Sequence, residues 1–202
     1  MWPSDPAEAR EWIHSRLSSG PADGWRQQLP PRHEFSAVRE AAVLIPLVWH
    51  DQGPTVLLTR RSDALPTHPG QISFPGGKHD ERDNSPMATA LREAQEEIGL
   101  DPQSVSILGT LPGFVTISRF HVVPVVGLIE PPLALAPQPG EVAEIFEVPL
   151  ERVMQHEQYL HHVFEREGVS GLYLSLSYQR HFIWGATAAM LRLLALTLSA
   201  TH

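Results

Sequence analysis

The chain has 202 residues, 42% of them hydrophobic and 19% charged, which is ordinary for a soluble globular protein and enough for one domain with a real core. Its formal net charge of −8 argues against a nucleic-acid surface, because tracking phosphates needs a basic face. It contains no cysteine, so disulfides, thiolate metal sites and cysteine nucleophiles are excluded, and a reducing cytoplasm is compatible.

The first residues, MWPSDPAEAREWIH, are polar and acidic with no apolar segment and do not read as a secretory signal. Residues 6–18 predict a short amphipathic helix with Ala7, Trp12, Ile13 and Leu17 on its apolar side. Residues 20–34 are rich in Pro, Gly and polar side chains and read as an arm that covers a sheet edge or caps an active site. Residues 1–35 thus form an N-terminal helix and arm, and 36–202 the main domain of a single globular unit.

The run AAVLIPLVW at 41–49 predicts a strand buried on both faces, with Pro46 at a bulge or an edge. A turn at 51–54 leads to a second strand at 55–59, and a short strand at 71–74 runs into Gly76 and Gly77. A helix is predicted over residues 86–98. Ser85 is a good N-cap, Pro86 suits the first turn, and Gly99 can take the left-handed conformation that ends it. Met87, Ala88, Leu91, Ala94 and Ile98 recur at helical spacing as an apolar face, with Glu93, Glu96 and Glu97 together on a face roughly opposite.

Like charges at that spacing destabilise a helix by about 0.2–0.5 kcal/mol per pair. Arg92 offsets part of this through Glu96. A divalent cation relieves the rest, since carboxylate oxygens suit Mg²⁺. A solvated acidic face is the other reading of such a helix.

Further strands are predicted at 105–111 and 121–128, then a Pro-rich loop at 131–139, a strand at 143–148 and a short helix at 150–155. Residues 161–165 and 172–177 predict a hairpin around 166–171, and 178–184 a continuing strand. Gly185 opens a closing helix over 186–198, which Arg192 interrupts and which is too short to span a bilayer. The eleven histidines are scattered, and His161 and His162 would point to opposite faces of a strand. Many strands with one central and one final helix fit α/β or α+β layers.

The stretch GGKHDERDNSPMATALREAQEEIGL at 76–100 resembles a Nudix box, G-x5-E-x7-R-E-U-x-E-E-x-G-U. Arg92, Glu93, Ala94, Glu96, Glu97, Gly99 and Leu100 match its second half. Its first half departs: counted from Gly77, the box acid is Asp83 rather than Glu, and one extra residue separates it from Arg92. The preceding LLTRRSDALPTHPGQISFPGG at 57–77 resembles the second signature of the coenzyme-A-directed Nudix branch. Leu57, Leu58, Thr59, Arg61, Ser62, Gly70, Phe74, Pro75, Gly76 and Gly77 match. Pro66 stands where that pattern has a second Arg, a contact that Arg60 or His68 would have to supply. Residues 109–124 and 183–187 are also similar to that branch.

The resemblance implies an α/β Nudix fold, an α/β/α sandwich with a mixed central sheet and the box as loop–helix–loop. It implies a pyrophosphohydrolase dependent on Mg²⁺ or Mn²⁺. The substrate would be coenzyme A or an acyl or oxidised derivative, cut to 4′-phosphopantetheine and adenosine 3′,5′-bisphosphate. Glu93 and Glu97 would hold the metal, with Glu96 next. Glu93 is the first choice as proton acceptor; Glu144 is an alternative outside the box, with Glu141 behind it. Substrate would meet Arg60, Arg61, His68, Gly76, Gly77, Phe114 and Arg119. The planar fork of Arg61 suits phosphate oxygens, although a surface ion pair would explain it too. Phe114 stacks on a base or fills core, and Arg119 or His121 reaches a phosphate. Partners would be a small nucleotide-type molecule, with no nucleic acid or membrane, for a cytoplasmic monomer or homodimer. The alternatives are the same chemistry on ADP-ribose, a dinucleotide such as NADH or a nucleoside triphosphate, and a Nudix module that binds a nucleotide without turnover.

Overall fold

The long apolar run becomes the central strand, β1 (Arg39–His50). Its side chains alternate between two layers. Ala41, Ile45, Leu47 and Trp49 enter one, and Ala42, Leu44 and Val48 the other. A strand covered on both faces has no polar side, which is why the run reads as unbroken. The structure, a computed structural model, describes residues 3, 5–30, 35–166 and 169–200, apart from the side chains of 166, 169 and 170.

Along one edge β1 pairs in parallel with β7 (Phe120–Ile129), whose far edge carries β5 (Val105–Thr110) and β6 (Phe114–Val115), both antiparallel. The other edge of β1 is shared. Leu47–His50 pair with the start of β2 (Gly53–Arg61), whereas Ala41–Val43 pair with β4 (Gly76–Lys78). Between them β3 (Ile72–Ser73) pairs with Thr59 and Arg60 of β2, and β8 (Val142–Pro149) lies along the outer edge of β2. β1 and β2 therefore leave a common turn, splay apart beyond Leu47, and admit residues 72–78 as a wedge.

Pro46 sits at that splay. It lies in the interior of the sheet, not at the edge or bulge expected. Leu44 donates its N–H to Pro75 O at 2.9 Å on the wedge side. Residues two apart in a strand direct their backbone groups to the same edge, so the nitrogen of Pro46 faces the gap between β2 and β4, where a missing N–H leaves no ladder bond unmade.

Helix α2 (Pro86–Ile98) covers one face of the sheet. The other face is covered by α1 (Pro6–Ser19), α3 (Leu150–Met154) and α4 (Gly185–Ser199), with a second sheet of β9 (Leu160–Arg166), β10 (Val169–Tyr178) and β11 (His181–Trp184). The result is an α/β/α sandwich about a mixed sheet. α1 buries Ala9, Ile13 and Leu17 while Ala7 is exposed, and His14 Nδ1 ties it to Leu108 O of β5 at 2.8 Å. Of the arm, residues 20–30 lie against α4, where Arg192 donates to Gln28 Oε1 at 2.7 Å and Leu29 enters the core; 31–34 fall outside the described residues. Among the described residues no helix is long and apolar enough to cross a membrane.

Three local readings are corrected. Gly76 and Gly77 do not end a strand; they are one, paired with Val43 and Ala42. Residues 178–184 are not continuous, because Gln179 at φ 51 turns the chain and β11 folds back with Tyr178 opposite His181. The apolar face of α2 is rotated: Ala90, Ala94, Glu97 and Ile98 are buried, and Met87 is 39% exposed. Short alanines let the helix approach the sheet closely, and a larger side chain there would overfill the space.

The predicted ends of α2 are found. Ser85 Oγ accepts the N–H of Ala88 at 3.2 Å, and Gly99 is left-handed at φ 67. Two of its last carbonyls, Glu97 O and Ile98 O, accept from Gln138 N at 2.8 Å and Ala136 N at 2.9 Å. The Pro-rich segment thereby satisfies acceptors that a helix end leaves open. The rotated face has a measurable consequence. Ile98→Ala should cost about 2–5 kcal/mol in urea denaturation, and Met87→Ala no more than about 0.5 kcal/mol. The reverse ranking would restore the face read from hydrophobicity alone.

Candidate active site

The wedge brings the backbone of Gly76 and Gly77 beneath the middle of α2. Gly76 N–H donates to Glu97 Oε2 at 3.2 Å. A Cβ on Gly77 would stand 2.5 Å from the Glu93 carboxylate, and one on Gly76 would stand 2.5 Å from Ala42 O. Glycine is required at both, because a side chain would displace the acid at one and the strand at the other.

Glu97 is only 7% exposed. Burial pushes its carboxyl up to about 7, against the Gly76 N–H, which favours the charged form; the charge of Glu93 raises it further and that of Arg61 lowers it. Glu93, one helical turn earlier, is also raised by burial, with Arg92 opposing. These two acids face the wedge together.

Arg92 organises the loop before the helix. Its Nε and Nη2 grip Asp83 at 3.1 and 3.0 Å, and Nη2 also reaches Lys78 O at 3.0 Å. Its Nη1 donates to Glu93 Oε1 at 2.9 Å and Glu96 Oε2 at 3.1 Å. Asp83 accepts further bonds from Thr89 Oγ1 at 2.8 Å and Asp80 N at 3.0 Å. The box acid of this chain therefore pins the loop to the helix. The Arg92 guanidinium holds its carboxyl well below the usual carboxylate range. Glu96 is turned outward, its side chain 59% exposed, onto the same guanidinium. Among the described residues no three acidic or histidine side chains converge as a ready metal set. Glu93 and Glu97 are the two brought together.

Glu144 is elsewhere. It shares its strand face with Phe146, which packs in the α1/α4 layer, whereas Ile145 packs in the α2 layer. It is held by Arg180 at 2.5 Å, His181 at 3.2 Å and Arg60 at 3.9 Å. Period-two alternation thus puts Glu144 on the face away from Glu93. Arg60 goes with it, bonded also to Asp63 at 3.0 Å. The pairing of β2 with β8 shifts register between Arg60 and Arg61, and the charge of Arg61 acts on Glu97. Among the described residues the Arg61 Nε is buried with no hydrogen-bond partner.

His68 lies exposed at φ 55 in the loop after β2. Phe114 packs against the α1/α4 layer. Arg119, at φ 62, stacks its guanidinium over Phe35 at 5.2 Å, and His121 is joined to Glu40 at 2.8 Å. Sequence reasoning ranked Glu141 behind Glu144, yet it is Glu141 whose charge acts on Glu97. It also missed the Gly76 N–H, for which the glycine pair was the only available signal.

Two carboxylates driven toward protonation by burial, Glu97 also by the charge of Glu93, over a backbone without side chains, fit a divalent cation. Fold, loop and acidic helix together define a Nudix domain. Residues 38–167 match the family model described as NUDIX domain. The uncharacterized Nudix hydrolase NudL of Pectobacterium atrosepticum is 47% identical over 174 residues, 85% of this chain and 90% of that protein. Its namesake in Photorhabdus laumondii is 43% identical over 166 residues, 82% of this chain and 88% of that one. Among solved structures, the NUDIX domain of Shewanella oneidensis NrtR complexed with ADP ribose is 28% identical. It covers 60% of this chain and 79% of that chain, at a TM-score of 0.45. The chain belongs to the Nudix family, whose hydrolases act on phosphoric anhydride bonds and generally use divalent metal ions.

Asp83 gives a test with a definite sign. Its carboxyl is depressed in the native state, so its stabilisation is complete above about pH 4, where the unfolded side chain is ionised, and is lost on acidification below that. Asp83→Asn should cost roughly 2–3 kcal/mol at neutral pH, less than the 3–5 of a fully buried pair because Arg92 is partly exposed. In urea melts the gap from wild type should narrow between neutral pH and about pH 3. A gap that widens would mean that Asp83 is not the acid paired with Arg92.

Proposed function

We propose that this protein is a Mg²⁺- or Mn²⁺-dependent pyrophosphohydrolase of the cytoplasm. It cuts the diphosphate of coenzyme A, or of an acyl or oxidised derivative, to 4′-phosphopantetheine (or its derivative) and adenosine 3′,5′-bisphosphate. The observation that carries the chemistry is the Glu93–Glu97 pair over the glycine wedge, with Arg61 beside it. The choice of substrate rests on the likeness of residues 57–77 to the coenzyme-A-directed signature.

A divalent ion at these carboxylates supplies polarisation of a phosphoryl oxygen and a lowered pKa for an attacking water. The chain's own residues do the rest. Glu97 is fixed through Oε2 by the Gly76 N–H. Glu93, whose proton affinity is raised by burial, takes the proton of the water. Arg92 holds Glu93 Oε1 at 2.9 Å and so orients the acceptor. Arg61 offers a buried, unpartnered Nε–H to the oxygens of the diphosphate. Water attacks one phosphorus in line, the bond from that phosphorus to the bridging oxygen breaks, and the other phosphate leaves with its electrons.

A second reading keeps this chemistry and changes the substrate to another nucleoside diphosphate derivative such as ADP-ribose. One observation favours it: Arg60, the nearest substitute for the arginine replaced by Pro66, is already engaged by Asp63 and Glu144. Product analysis over a panel with Mg²⁺ separates the two. Coenzyme A should be consumed and both products found. If coenzyme A survives while ADP-ribose is cut, the substrate is reassigned and the chemistry stands.

The residues are tested by kinetics. Glu97→Gln should abolish nearly all metal-dependent hydrolysis with the fold retained, and Glu93→Gln should lower kcat by about 10²–10⁴-fold, the worth of a general base. Glu144→Gln, on the far face, should change kcat by less than about threefold, well short of that range. A Glu144 variant as inactive as the Glu93 one would return the proton acceptor to β8.

A further inference from the structure

The small sheet runs in the order β11-β10-β9, and one of its faces contributes to the core. Leu174, Leu176 and Ile183 are buried in the layer shared with α4. The other face carries rings in contact: His162 stacks on Tyr173 at 4.8 Å, Phe164 lies 6.4 Å from Tyr173, and Trp184 meets Tyr173 edge-on at 5.6 Å. Of the nine exposed large apolar residues described, five belong to this sheet: Leu160, Phe182 and Trp184 on the ring face, and Val163 and Leu172 on the face of Leu174. Apolar exposure is therefore concentrated in this sheet, most of it on the ring face, and such a concentration marks a contact surface.

The outer edge of β9 says what kind of contact. Among the described residues no strand pairs with it, and a free edge is a template for another strand. Strand β9 contains neither proline nor lysine, and its pairing with β10 runs without a bulge, so these guards are missing and Glu165 and Arg166 are its only charges. Val163 is 75% exposed and Leu160 57%.

We infer that β9 is the seam of a homodimer, pairing antiparallel with β9 of a second copy about a twofold axis at Val163. That register sets His161 of each chain opposite Glu165 of the other, and His162 opposite Phe164, each twice by symmetry. The acid thus meets a hydrogen-bond donor and not another acid, which matters in a chain of net charge −8. The ring row continues across the seam. Two small sheets become one of six strands, and the edge backbone groups gain partners that give a strand-addition interface its affinity.

Sedimentation equilibrium on the full chain tests this. The wild type should show the mass of two 22.4 kDa chains, dissociating on dilution. Val163→Lys sets two like charges on the axis at an exposed position. It should raise the dimer Kd at least tenfold with an unchanged circular dichroism spectrum. Glu165→Lys should also weaken the dimer, and the double variant His161→Glu/Glu165→Lys should restore it. A wild type that remains one chain throughout the concentration series overturns the proposal. So does a dimer indifferent to Val163→Lys, or a double variant without rescue.

Discussion

Two strands that leave one turn can stay paired only if nothing comes between them. Here β1 and β2 separate, and the site depends on what fills the gap. Residues 72–78 enter it edge-on, bonded to β2 through β3 and to β1 through β4. Insertion leaves the Gly76 N–H directed at a helix rather than at a strand. The missing side chain of Gly77 leaves room for a carboxylate. Helix α2 can descend to meet them because Ala90 and Ala94 are short. Glu97 can be buried because that N–H is waiting for it, since a buried acid without a partner costs far more than one that is bonded.

Within the site, one cation divides the acids by task. Arg92 is surrounded by Asp83, Glu93 and Glu96, and its strongest grip is on Asp83, the most enclosed of the three. That contact makes the loop rigid and holds the Asp83 charge in place. Glu97 receives no bond from Arg92, and its carboxyl rises instead. Neighbouring carboxylates of one short segment are thereby sorted by environment alone into one that anchors the loop, one oriented by Arg92 and one buried against a backbone N–H. The extra loop residue and the shorter acid, which set this box apart from the family pattern, belong to the Asp83 anchor and not to the Glu93–Glu97 pair.

Much of this was legible in the sequence. The unbroken run at 41–49 could only be a strand covered on both faces, and Ser85, Pro86 and Gly99 marked both ends of α2. The spacing of Arg92, Glu93, Glu96 and Glu97, together with the matching stretch at 57–77, pointed to the family. What was not legible shares a cause: partners far away along the chain. Hydrophobicity pointed α2 toward Met87 and Leu91. The buried face was decided by a peptide group 21 residues upstream of Glu97. Glu144 ranked ahead of Glu141 when the two were read as neighbours in a line, yet strand alternation sends Glu144 to the α4 side. The interior place of Pro46 required knowing that the sheet splits beside it. The bend at Gln179 had no glycine or proline to announce it.

The Pro-rich segment at 131–139 looked like mere connection. Its backbone closes the end of α2 through Gln138 and Ala136. Glu97 is therefore held twice, by its side chain from the wedge and by its carbonyl from a stretch that leads straight to Glu141 and β8. Glu97 is suspended between two independent moorings, one in the sheet and one in a surface loop. Changes in that loop can therefore retune the seat of Glu97 without altering any carboxylate.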